Sequence, residues 1–247
     1  MNVELAALRT VPGFRRALAL ALAFSGFLAI SYLGLKDLGT TTLTDARSAL
    51  SSGAISGLVA IVYAAASAGG EVARGGLGLA LIARARQAGQ SLFTFRRAAV
   101  GDRLGAYAAV GALIGVGGTL MAAALTYVLL GFGGADLPGA GDLATRALGT
   151  IVYTALMGAL GAALGLAARS AAPPVIATLA VLLFLDPLFS GLSDPVARWG
   201  PGGAGASLTR SATEDLPPAW AGGLTLLAYT GLAAGAALGL TARRDVP

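Results

Sequence analysis

Six long apolar stretches, parted by short polar or charged segments, run the length of this 247-residue chain. Read from charge to charge they fall at 17–35, 49–70, 104–131, 147–168, 171–189 and 219–241. Each approaches or exceeds the ~20 residues that carry a helix across a bilayer at ~1.5 Å per residue. The third lies within Leu104 to Gly134, longer than a bilayer requires, so it tilts or runs past the interface. The fifth opens with Pro173 and Pro174, whose missing donors suit a first helical turn. None shows the alternation of a barrel strand, and only helices satisfy their backbone at such depths without closing a barrel. The pattern predicts an all-α integral membrane protein with six transmembrane helices in one domain.

Ahead of the first stretch, Val3, Leu5, Leu8 and Val11 are spaced as one helical face, with Pro12-Gly13 as a break. Residues 1–16 therefore read as an N-terminal interfacial helix. The first apolar run follows Arg15 and Arg16 as a signal peptide would, but it exceeds a 7–15 residue secretory core and reads as a retained span.

Composition places the chain in lipid: 56% of residues are hydrophobic, 12% are charged, and mean hydropathy is +0.77. Without Cys or His there are no disulfides, thiolate nucleophiles, imidazole bases or usual zinc and haem ligands. No acidic or basic residue falls centrally in five of the six spans, and Asp186 sits at the outer end of the fifth, which disfavours ion-coupled transport. No Gly-x-x-x-x-Gly-Lys loop is present, so the chain carries no ATP site of that kind.

Charge orients the bundle. With the N-terminus inside, the inner segments hold twelve basic and four acidic residues and the outer ones five and eight, net +8 against −3. Both termini are thus expected in the cytoplasm. Because the arginines flank apolar spans, the high isoelectric point reads as membrane orientation and excludes nucleic acid as a partner. The only lysine, Lys36, falls outside, while six arginines crowd the inner segment 71–103. There Phe93 and Phe95 lie among Arg84, Arg86, Arg96 and Arg97, residue types enriched in interface anchors. The plainer alternative is that these arginines only set orientation. Gly231, Gly235 and Gly239 recur every four residues in the sixth span, with shorter repeats at Gly161/Gly165, Gly111/Gly115 and Gly53/Gly57. Such spacing reads as helix-packing seams or a dimer face.

Six spans, an interfacial N-terminal helix, Glu71-Val-Ala-Arg-Gly75-Gly76-Leu77 closing the second span, Arg103-Leu-Gly-Ala-Tyr opening the third, and a terminal Arg243-Arg244-Asp245-Val246 together resemble the membrane subunit of type-2 ABC exporters. Gly76 stands where that family usually has Thr, and Arg103 replaces a common Lys. The resemblance implies that 71–103 is a cytoplasmic coupling region, with Glu71 at its base pairing with a nearby arginine or capping a helix. It implies two copies of a separate cytoplasmic ATPase that hold ATP and Mg, no cofactor on this chain, and a second permease copy in a homodimer or heterodimer. It implies contact with membrane lipid in a bacterial plasma membrane, and outward movement of a hydrophobic or amphipathic compound. It also implies that 186–218 forms external re-entrant helices, a plain loop being the alternative. The competing class is a non-transporting immunity or scaffold protein that holds a partner through the same loop.

Overall fold

A computed structural model describes residues 12–34, 41–75, 92–133, 137–210 and 216–243. They form α1 (Pro12–Gly34), α2 (Leu43–Ser51), a 3-10 turn (Ser52–Ile55), α3 (Ser56–Ala73), α4 (Leu92–Gly133) and α5 (Ala140–Ala168). A helix then continues as α6 (Ala172–Ala180), a π-helical turn (Val181–Leu185) and α7 (Asp186–Ser190), followed by α8 (Asp194–Trp199), α9 (Pro201–Thr209) and α10 (Ala219–Arg243). No strand occurs among the described residues. Among the described residues, five helical stretches are long and apolar enough to cross a membrane, Gly13–Leu33, Leu43–Ala73, Ala98–Phe132, Ala140–Ala168 and Ala219–Leu240. The chain is thus an all-helical, multi-pass membrane protein.

The stretch expected as the fifth span is a shorter apolar helix, Ala172–Leu188, its regular ladder interrupted by the π turn. Six full spans therefore reduce to five and a shorter sixth. The interfacial helix expected over 1–16 lies largely outside the described residues, and the Pro12-Gly13 break instead opens α1, where proline is tolerated.

The segment 71–103, expected as a coupling loop, is not a loop throughout. From Leu92 onward it is the start of α4, whose 42 residues span about 63 Å, twice the ~30 Å of the hydrocarbon layer. Its charges marked the stretch as polar, yet no proline falls between Gly13 and Leu137 to stop a helix. Segment 76–91, with Arg84 and Arg86, lies outside the described residues.

Helix α5 forms the centre, flanked by α3, α4, α9 and α10. Glycines set its approach distances. A Cβ at Gly161 would lie 2.9 Å from Ile61 Cα and against the Ile61 carbonyl, and one at Gly165 would lie 2.8 Å from Gly69 N. Toward α4, a Cβ at Gly158 would lie 2.5 Å from the Tyr107 carbonyl, and Gly111 and Gly115 of α4 back onto Thr154. Lipid provides no hydrophobic drive for helix association, so contact at backbone distance is what holds these helices together.

The three glycines singled out in α10 behave otherwise. Gly231, Gly235 and Gly239 are exposed, and a Cβ at any of them meets nothing within 4 Å among the described residues. Among the described residues no seam forms there; the shorter repeats in α4 and α5 are the ones that close. Periodicity places glycines on one face, but the neighbouring helices decide which face is covered.

Side chains are sorted by size. The buried hydrophobic positions are mostly alanines, such as Ala21, Ala29, Ala65, Ala122 and Ala162 at 0% exposure, whereas Phe27, Phe132, Phe184, Trp220 and Leu232 are at least 66% exposed.

The segment 186–218, expected outside the membrane, is helical over most of its described residues. Helix α9 packs between α5 and α10, with Ala204 and Leu208 against Leu226, Gly149 facing the Leu208 carbonyl, and Gly222 facing the Ala204 carbonyl. Packed short helices replace the plain-loop alternative over 194–209.

Candidate functional site

At the end of the bundle holding Phe14, the C-terminus of α3 and the C-terminus of α5, Glu71 forms an ion pair with Arg103 of α4. Tyr107, one turn further along α4, donates to Glu71 Oε1 at 3.4 Å. Tyr107 also stacks edge-on against Tyr63, which meets Phe14 the same way, each pair with ring centroids 6.4 Å apart. Glu71 thus ties the last turn of α3 to α4 on either side of 76–91. Phe93, Phe95, Arg96 and Arg97 lie on the first turns of α4.

The opposite end is held by Arg146, only 8% exposed on the second turn of α5. Its NH1 donates to Ser51 Oγ at 2.7 Å, to the Arg47 carbonyl at 3.3 Å and to the Arg210 carbonyl. The guanidinium thereby bridges α2 and α9, and satisfies the carbonyl of Arg210, the residue that caps the C-terminus of α9. Arg210 itself is left-handed at φ 51°. Beside it Arg47 forms an ion pair with Asp142 at 2.8 Å.

Between these ends lies an apolar cleft of about 500 Å³. Ile61 of α3, Leu160 and Leu164 of α5, Leu182 of the π turn and Leu240 of α10 wall it, and Pro201 closes one side. Pro174, Thr178 and Leu182 follow one another at helical spacing along its α6 wall. Thr178 is 4% exposed, and its Oγ1 has no hydrogen-bond partner among the described residues. A buried hydroxyl usually finds a partner. One more step along the stripe is Asp186, whose carboxylate accepts from the Gly202 N–H at the first turn of α9. The other oxygen, Oδ1, is buried without a partner among the described residues.

The sequence reading placed the working surface at 71–103 and did not single out this cleft. Its walls are mostly leucine, isoleucine, proline and alanine, which composition cannot tell from lipid-facing positions; the one available polar signal was Thr178, four positions after Pro174. Comparison with protein-family models, with curated proteins and with solved structures finds no match.

Proposed function

We propose that the chain is the permease subunit of an ABC-type exporter. It moves a hydrophobic or amphipathic compound outward across a bacterial plasma membrane, driven by a separate ATPase pair that carries ATP and Mg, with a second permease copy completing the pathway. The observation that carries the reading is the cleft. It has the volume of a site for a drug-sized ligand, and its apolar walls suit a cargo drawn from lipid. The resemblance to type-2 exporter subunits and the basic segment ahead of α4 support the rest.

In this reading Phe93 and Phe95, with Arg84, Arg86, Arg96 and Arg97, seat the ATPase, and the Glu71 ion pair holds the segment's base. Truncating a buried aromatic anchor typically costs over ~2 kcal/mol, about 30-fold in affinity. Phe93→Ala with Phe95→Ala should therefore release an ATPase that co-purifies with the wild-type chain, while the permease stays inserted and folded. Full retention of the ATPase and of transport by the double variant would overturn the coupling role and leave the arginines as orientation signals.

Both termini and 71–103 are assigned to the cytoplasm. The absence of cysteine allows single reporters: Ser91→Cys should react with an impermeant thiol reagent only from inside and Ser193→Cys only from outside. Ser207 is unsuitable, being 3% exposed and bonded to the Gly203 carbonyl. Reaction of both reporters from outside contradicts the assignment.

A further inference from the structure

The cleft is the gap between α6 and α10 over a shared floor. Helix α6 packs on α3 and α5, and α10 packs on α5 and α9, while Leu240 of α10 faces the α6 wall across the opening. Pro173, Ala177 and Val181, spaced four apart along α6, line the cleft and are exposed, so they form its lip; Pro174 and Thr178 line it and are buried. No charged residue belongs to the lining, and Asp186 lies outside it. Thr178 contributes the lining's one hydroxyl, but its Oγ1 is itself buried out of a ligand's reach. Pro173, Pro174 and Pro201 have no backbone N–H to donate, and along the helical walls the backbone ladder engages most of the rest. A molecule in the cleft therefore meets hydrocarbon and little else.

We propose that the cleft takes an uncharged, hydrocarbon-rich molecule from the lipid and excludes molecules that would carry an ionised group into it. An uncharged molecule passes from one apolar medium to another and gains close contact with Leu160, Leu164 and Leu182. An ammonium or a carboxylate would enter with no partner for its charge, and an unpaired ion in apolar surroundings is strongly disfavoured whatever its sign. The inference rests on the cleft being the cargo site of the permease proposed above, and it narrows that cargo from hydrophobic or amphipathic to uncharged compounds.

The test uses the full chain in dodecyl maltoside micelles and three probes built on one ring system. Butylpyrene ends in a methyl group, pyrenebutylamine in an ammonium and pyrenebutyrate in a carboxylate. Each is supplied at the same mole fraction in the micelles, at a pH where both end groups are ionised, and retention by the immobilised protein is read from pyrene fluorescence. The wild type should bind butylpyrene at least about tenfold more tightly than either ion. Ala177→Trp at the lip and Leu164→Trp on the floor should both lose butylpyrene without altering the elution volume of the folded protein. Ile176→Trp, at a position 66% exposed and outside the lining, should change its affinity less than about twofold. Because Ala177 is already exposed, its replacement carries the test even where Leu164→Trp does not fold. Equal affinity for the three probes, or a preference for either ion, with binding lost in Ala177→Trp, overturns the exclusion of charge and leaves the cleft as a cargo site. Indifference of every probe to Ala177→Trp and to Leu164→Trp removes the cleft as cargo site, and the inference with it. Loss of butylpyrene in Ile176→Trp to the same extent as in Ala177→Trp also overturns the assignment, since the probe would then sit on the lipid-facing surface of α6.

Discussion

Gly161→Leu is expected to prevent the bundle from closing, with a loss of more than about 3 kcal/mol that shows as unfolded or aggregated protein in detergent. At Gly161 a side chain meets the backbone of Ile61, its Cα 2.9 Å from the new Cβ, and backbone within two long helices cannot swing aside as a side-chain tip can. Gly235→Leu, at a position open in this chain, is the matching control: the fold of the single chain should be unchanged. If α10 packs against a second copy, that variant lowers the oligomer alone, read as a shift in mass by light scattering. Thermal melts in which Gly161→Leu matches wild type would show that the α3–α5 contact is not a determinant of stability.

Arg146→Ala should undock α9. Its guanidinium reaches the Arg47 carbonyl, Ser51 Oγ and the Arg210 carbonyl, so alanine strands the Arg210 carbonyl and breaks the link from α9 to α2, at a cost on the order of 2 kcal/mol. Arg146→Lys keeps the charge but not the fork, and should fall between the two. Ser207 provides a local readout: a cysteine there is buried in the native packing and should become reactive from outside only when Arg146 is replaced by alanine. If Arg146→Met leaves that cysteine protected and the melting temperature unchanged, apolar packing rather than hydrogen bonding seats α9.

The helices were legible because hydropathy responds to polarity, and most of this chain is apolar for long runs. The limits of that signal explain the departures. Leu92 to Arg103 carries charge and was set apart as loop, although helix formation needs only backbone compatibility, so α4 begins about three turns early. At Val181–Leu185 the apolar run is uninterrupted in sequence while the hydrogen-bond ladder changes period, which polarity cannot register. Glu71 was expected to meet an arginine or to cap a helix; it pairs with Arg103, which in sequence was one of six arginines of 71–103 with nothing to set it apart as the partner. Arg146 looked like one more outer charge; its role depends on Ser51 and Arg210, 95 and 64 positions away.

With alanine and glycine inside and phenylalanine, tryptophan and leucine outside, tolerance to substitution is inverted relative to a protein folded in water. Trimming an interior side chain such as Ala162 to glycine removes one methyl group and leaves little void, while enlarging it separates helices. On the outer surface, Phe27 or Leu232 can exchange with other bulky apolar residues as long as the lipid still wets them. A saturation scan of this chain should therefore sort its positions by whether they accept added volume, and the positions that refuse it would trace the α3–α5 and α4–α5 contacts without any measurement of structure.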